Sequence, residues 1–335
     1  MPERQADGDW LDAIRDDGPA PLRTTVTIEH PRSIVSRNTS PDLPFDQSVN
    51  AYRGCEHGCI YCYARPTHAW LDLSPGLDFE SRLFAKPGAA KLLRETLRKP
   101  GYVPKVIALG TNTDPYQPIE AEYRITREIL EVCLEARNPV AITTKSDRVL
   151  ADIDLLEEMA RQDLVAIALS VTTLDGAIAR TLEPRAASPR KRLAAIRTLS
   201  QRGIPVHMNV SPVIPAITDH EIEAVVAAGA EAGALSASFI PVRLPHEVAP
   251  LFRAWLDTHF PDRAGKVMSI IQDMRGGRDN DPDFGSRMRG TGPWADLIRT
   301  RFRIALKRAG LNRHTWQLNA DYFRPPADGS QGELF

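Results

Sequence analysis

Residues 50–66 read NAYRGCEHGCIYCYARP, and three cysteines in that run, Cys55, Cys59 and Cys62, decide how the whole chain is read. Their C-x3-C-x2-C spacing can wrap three thiolates round one face of a four-iron, four-sulfur cluster and leave the fourth iron without a protein ligand. An iron left open implies a reaction rather than a staple. Closely spaced cysteines also serve structural zinc or, in secreted chains, disulfides. A structural zinc site needs four ligands, so His57, inside the triplet, or His68, just after it, would have to complete it, and neither spacing is a familiar zinc pattern. Pairing within the cluster of three would leave one cysteine unpaired. The acidic start (Asp7, Asp9, Asp12, Asp16, Asp17) is unlike a secretory leader, so the reducing cytoplasm is the expected location.

The same loop resembles the cluster loop of radical S-adenosylmethionine (radical SAM) proteins, in particular of the branch that includes spore photoproduct lyase. The signature in that superfamily is C-x3-C-x-aromatic-C, and Tyr61 fills the aromatic place. The likeness extends over roughly positions 48–245. It implies a partial (β/α)6 barrel of the radical SAM type, with cofactors of two kinds. One is a [4Fe-4S] cluster on Cys55, Cys59 and Cys62; the other is S-adenosyl-L-methionine, chelated to the open iron through its amino and carboxylate groups. One electron, from a donor such as flavodoxin or ferredoxin, then cleaves the sulfonium carbon bond. Methionine leaves, and a 5'-deoxyadenosyl radical takes hydrogen from a substrate.

Composition suits such an enzyme: 335 residues, 42% hydrophobic and 25% charged, with a formal net charge of -1 that neither requires nor excludes a nucleic-acid partner. No apolar run approaches the roughly 20 residues that cross a bilayer, so no membrane partner is expected. Independently of the resemblance, apolar runs alternate with helical segments, which reads as a parallel α/β fold. Strands are expected at 48–53, 105–110, 140–145, 165–171, 205–214 and 235–242, and crossover helices at 88–97, 121–136, 150–161, 189–202 and 218–232. Residues 1–45 form a largely irregular N-terminal extension, disordered over the first twenty, with one β-like run at 24–28. The barrel takes 46–245. An α-rich C-terminal extension follows over 246–325, with helices at 247–259 and 294–309, the second capped by Gly292 with Pro293 at its first position. A flexible tail ends the chain at 326–335. The glycine-rich stretch 274–291 is a loop long enough to be functional or disordered.

Chemistry in such a barrel sits at the carboxyl ends of the strands, where the loops meet at one mouth. Four segments fall there besides the cysteine loop. GTNTDPYQPIE at 110–120 offers Thr111, Thr113 and Asp114, which the resemblance places near the methionine amino group, although the usual glycine-glycine-glutamate is absent; an Asx turn is the competing reading. Lys145 ends ITTK, where the resemblance sets a lysine against the methionine carboxylate, as charge complementarity favours; it would otherwise be a surface lysine. Ser170 lies near the end of IALSV, facing either lumen or helix layer, and the resembling family has a serine there close to the cofactor. In the following TLEPRAASPRKRL, Glu183 could accept from ribose hydroxyls and Arg185 could anchor a carboxylate or substrate, with a capped helix and a basic first turn as the alternative. Asn209 and Pro212, in NVSPVIP, are implied neighbours of the nucleoside. Tyr61 would support the adenine, or simply shield a cluster from solvent.

Cys133, in the apolar run EILEVCLEA, reads as a buried small hydrophobe. Spore photoproduct lyase has a hydrogen-donating cysteine close to its second strand, and ALGTNTD supplies none here. That departure speaks against thymine-dimer repair and leaves the substrate unidentified, with nucleic acid one candidate. No second cysteine cluster exists, which sets aside sulfur insertion. Basic residues prevail from Arg263 to Arg313 and could follow a phosphate backbone or form a solvated helix face. Trp316, Tyr322 and Phe323 could stack bases or pack in a core. The terminal QGELF, Gln331 to Phe335, resembles the short peptides by which bacterial repair proteins bind the sliding clamp. Two classes of function stay open: a radical SAM enzyme acting on nucleic acid or another macromolecule, and a non-enzymatic zinc-binding adaptor on a barrel scaffold.

Overall fold

A computed structural model describes residues 22–311 and 317–327. The expected disordered start, Trp316 and the QGELF tail therefore lie outside the described residues. Ten strands are described: β1 (Thr25–Ile28), β2 (Val35–Arg37), β3 (Gln47–Val49), β4 (Tyr52–Arg53), β5 (Arg82–Ala85), β6 (Ile107–Leu109), β7 (Val140–Thr144), β8 (Val165–Ser170), β9 (Val206–Val213) and β10 (Ser236–Pro241). The larger sheet runs β10-β9-β8-β7-β6-β3-β2, and its six strands from β3 to β10 are parallel. This is the expected partial barrel. β2 adds an antiparallel edge to β3. The remaining strands form a small sheet in the order β1-β5-β4.

The pattern follows from side-chain alternation. Leu109, Ile142, Leu169 and Met208 point to the helix layer and join the main apolar core. Their neighbours face the lumen in registered layers: Ala108, Ala141 and Ala166; then Thr143, Ala168, His207 and Ser236; then Ser170, Asn209 and Ser238. A closed eight-stranded barrel fills these positions with bulky branched side chains. Here they are alanine, serine, threonine, asparagine and one histidine, His207.

Five helices, Ala89–Leu97, Ile125–Ala136, Ile153–Arg161, Pro189–Gln201 and Ile222–Glu231, cover the outer face. In Ile125–Ala136 the residues Ile125, Ile129, Val132, Cys133 and Ala136 are buried on one stripe. The expected single helix over 121–136 is broken at Arg124, which sits at φ 51° between Glu120–Tyr123 and the longer helix. Glu120 makes the break possible, because its carboxylate accepts the N–H groups of Thr126 and Arg127 at the new helix start. After β10 come Val248–His259, Pro261–Met274 and Gly292–Ala309, whose N-cap is Thr291, one residue before the expected Gly292. Ile298, Phe302 and Ala305 of the last helix join the barrel's core. Among the described residues no helix is long and apolar enough to cross a membrane.

Candidate active site

The cysteine loop leaves β4 and is fixed from every side. Cys55 N–H donates to Phe79 O (2.9 Å), Ile60 N–H to Leu182 O (3.1 Å), and Gln117 both accepts from Glu56 N–H (3.0 Å) and donates to Gly54 O (3.2 Å). Arg65, fully buried, donates to Cys59 O (2.9 Å), Gly58 O (2.8 Å), Pro75 O (3.1 Å) and Gly76 O (2.9 Å), and pairs with Glu80. Arg185 binds the other Glu80 oxygen and Glu56 O, so Glu80 joins two guanidiniums beneath the loop. Gly58 lies where these groups crowd: at φ +69°, an added Cβ would stand 2.2 Å from Arg185 Nη2. Only glycine meets both demands.

Three free thiols share this frame. Cys55 and Cys59 are buried and Cys62 is partly exposed. Burial pushes the Cys55 thiol well up, with the Asp114 carboxylate adding to it; burial likewise takes Cys59 up to about 12, with Glu183 opposing ionisation and Lys145 favouring it. Thiols so placed ionise when a cationic centre coordinates them. Among the described residues no three His, Cys, Asp or Glu side chains converge tightly enough to hold a single ion. Three thiols on one loop are donors that suit an iron-sulfur cluster, and His57, which a zinc site would need as a further ligand, is engaged elsewhere.

That engagement is with Asp114. His57 Nδ1 lies 3.3 Å from Asp114 Oδ2, which also accepts from Lys145 N–H (2.7 Å), while Oδ1 accepts from Thr144 Oγ1 (2.7 Å) and Tyr116 N–H (2.9 Å). Burial alone would raise its pKa, but His57 and these donors outweigh it and hold the carboxyl below its ordinary value. Asp114 thus ties the cysteine loop to the exits of β6 and β7. Thr111 shares hydrogen bonds with Asn50 (3.2 and 3.3 Å), and its carbonyl accepts from Tyr63 Oη; Thr113 Oγ1 donates to Tyr52 O (3.3 Å). Lys145 Nζ stands 5.8 Å over the centre of the Tyr61 ring, and among the described residues it has no hydrogen-bond acceptor.

Glu183 is buried and occupied by protein donors. Tyr61 Oη and Thr172 Oγ1 donate to Oε1, and Arg192, equally buried, donates to Oε2. Arg192 also donates to Ala187 O (2.6 Å) and Ser170 O (3.1 Å). In this structure both Glu183, expected near the ribose, and Arg185, expected near a carboxylate or substrate, are hydrogen-bonded to groups that brace the cysteine loop. Ser170 faces the lumen, since Leu169 and Val171 belong to the helix-side core. It registers with Asn209, which accepts from Ser238 Oγ (3.1 Å). Beside Pro212, the buried Ser211 Oγ has no partner among the described residues.

Sequence reading missed Arg65, Arg192, Ser211 and His207. His207 sits between two hydroxyls, with Nδ1 2.7 Å from Ser236 Oγ and Nε2 2.7 Å from Ser238 Oγ. Ser238 gives its proton to Asn209, so Nε2 carries the imidazole proton and Ser236 donates to Nδ1. Burial takes the His207 pKa down to about 4.

The fold and loop together define a partial-barrel protein with three thiols gathered at the carboxyl ends of its strands. The chain belongs to the radical SAM superfamily, whose family model matches residues 49–228. Uncharacterised proteins of Mycobacterium bovis and Mycobacterium tuberculosis are each 36% identical over 232 residues, 69% of this chain and 68% of theirs. An uncharacterised protein of Methanocaldococcus jannaschii is 31% identical over 176 residues, 52% of this chain and 62% of its own length. The structure of spore photoproduct lyase complexed with dinucleoside spore photoproduct matches with a TM-score of 0.61 and 14% identity, covering 85% of this chain and 79% of that one. At that identity the likeness is one of fold. Membership of the superfamily makes the chain an enzyme of SAM-dependent radical chemistry, and implies a [4Fe-4S] cluster, S-adenosylmethionine and a reductant.

Proposed function

We propose that Cys55, Cys59 and Cys62 hold the [4Fe-4S] cluster and that S-adenosylmethionine binds between the cysteine loop and the exits of β6 to β9. When bound, this pair supplies a one-electron cleavage whose carbon radical abstracts hydrogen from a substrate. The chain's own residues bind, orient and keep water out. Lys145, held over Tyr61 and without an acceptor of its own, is the cation for the methionine carboxylate. The hydroxyls of Thr111 and Thr113 stand near the amino group, and Asp114 positions Lys145 through its backbone N–H. Ser170, Asn209, Pro212 and the unpartnered hydroxyl of Ser211 form the nucleoside side. Tyr61 is presented by Glu183, which Arg192 anchors in turn, and Arg185 fixes the loop from below.

A single observation carries this reading: a stapled loop of three buried or half-buried thiols lies beside an unpaired lysine at the strand ends. Nucleic acid as substrate is the broader expectation. It gains little from the C-terminal helix, where Arg301 is spent on Glu223 and Arg299 on Asp296, or from Phe323, which packs on Tyr102. Reconstituted anaerobically, the protein should release 5'-deoxyadenosine with dithionite and S-adenosylmethionine. Lys145→Gln should raise the KM for S-adenosylmethionine by about tenfold or more while the iron content stays unchanged. An unchanged KM would remove Lys145 from the site.

A further inference from the structure

We infer that Arg243 is an oxyanion site at the barrel mouth, built for the phosphate ester of a substrate that also carries a planar ring. The inference rests on the enzymatic reading above and gives its unidentified substrate a chemistry. Arg243 follows β10, so it comes out at the same end of the barrel as the cysteine loop. It lies within the electrostatic field of Tyr63, the residue after Cys62. Among the described residues its guanidinium makes one hydrogen bond, from Nη1 to the Met288 thioether at 3.2 Å, and a thioether is a weak acceptor. Nε is buried and has no hydrogen-bond partner among the described residues. The Nε–Nη2 edge is the one by which arginine grips an oxyanion with two parallel bonds.

The surroundings are organised to leave that cation unmet. The glycine-rich stretch 275–291 is pinned against the end of β10 by Arg275, which donates to Val242 O (3.1 Å) and Arg287 O (2.7 Å). The Asp42 carboxylate, which acts electrostatically on Arg243, is used by Arg287 Nε (2.6 Å) and Gly285 N–H (2.7 Å). Asp281 faces Arg275 and Arg278 as well as Arg243. Arg243 feels the guanidiniums of Arg275 and Arg287 and the carboxylates of Asp42 and Asp281, three cations to two anions. Two partly exposed aromatic rings lie on the segments that lead here: Tyr63, 54% exposed, whose hydroxyl donates to Thr111 O, and Phe284, 60% exposed with Arg287 4.5 Å from its centre. A cationic fork with exposed rings on neighbouring segments would suit a phosphate joined to a planar heterocycle. A simple carboxylate would use the fork and leave the rings idle.

Two arginine variants and three probes test this on the anaerobically reconstituted protein. The probes are inorganic phosphate, thymidine 5'-monophosphate and a single-stranded pentathymidylate, with free thymidine for comparison. Arg243→Met should weaken phosphate-bearing probes by about tenfold or more, Arg243→Lys by less, and leave thymidine unaffected. Tightest binding by pentathymidylate points to a polymer, and by the monophosphate to a free nucleotide; either supports the site. Without probe, Arg243→Met should unfold at the wild-type temperature or above it, because an unpaired buried cation is replaced by an apolar chain that packs on Met288. A guanidinium that merely braces the loop would give the opposite pair of results, a lower unfolding temperature with probe affinities unchanged, and that outcome overturns the inference. Failure to take up iron would strike the enzymatic reading alone, since probe affinity is read separately.

Discussion

Replacing Glu183 with glutamine should cost far more than the loss of one charge suggests. The substituted side chain would keep its carbonyl toward Tyr61 Oη and Thr172 Oγ1, but its amide NH2 would point at Arg192 Nη2, setting donor against donor. Arg192 is 1% exposed on its side chain, so its cation would be left buried without a counterion. Breaking a buried pair from one side costs about 3–5 kcal/mol, whereas removing both charges is often close to neutral. The double variant Glu183→Gln/Arg192→Met should therefore recover much of the loss. It would retain a deficit of about 2 kcal/mol for the two carbonyls, of Ala187 and Ser170, that Arg192 now satisfies. Denaturant unfolding of the wild type, both single variants and the double variant gives the coupling free energy directly. We expect a coupling of about 2–3 kcal/mol. Additive losses, or a Glu183→Gln protein within about 0.5 kcal/mol of wild type, would refute the view that this pair carries the cysteine loop.

Other perturbations follow from the same structure. Gly58→Ala places a methyl group against Arg185 and Glu80 at a left-handed backbone position, and should cut iron incorporation sharply and cost about 1–3 kcal/mol. His207 is held neutral in the fold with its pKa down at about 4, against an ordinary 6.5. The unfolded chain then takes up the proton first as pH falls. Its contribution is fully present above pH 6.5 and disappears as pH drops toward 4, about 2 kcal/mol between pH 7.5 and 5. Unfolding curves of His207→Gln should lack that part of the slope; an identical pH dependence in variant and wild type would count against the assignment.

The barrel was legible because parallel strands covered on both faces are written as continuous runs, VAIALS being the clearest. Their carboxyl ends then located the mouth, and the cysteine spacing marked the strand end where chemistry gathers. The small sheet was not legible. β5 is four residues, RLFA, with no alternation of its own, and it exists because β1 and β4 lie on either side of it. Nor was Pro261–Met274, whose first turns carry Asp262, Arg263, Gly265 and Lys266 and whose buried stripe begins only at Val267. Charged residues misled most. Sequence offers arginine and glutamate as surface groups or ligands, yet Arg65, Arg192 and Glu183 are buried because folding brings partners to each, Gly76 to Arg65, Ser170 to Arg192 and Tyr61 to Glu183. Such pairings depend on tertiary geometry and leave no local pattern.

The central claim is that three thiols of one loop hold an iron-sulfur cluster. Iron and acid-labile sulfide, measured on anaerobically reconstituted protein, test it most directly. About four of each per chain are expected, together with broad brown absorption. Cys133→Ala should keep that content, because Cys133 is fully buried in the helix layer with its thiol pushed up to about 12. Cys59→Ala should lose it. One zinc per chain with no sulfide, or iron that survives the loss of Cys59, would contradict the account.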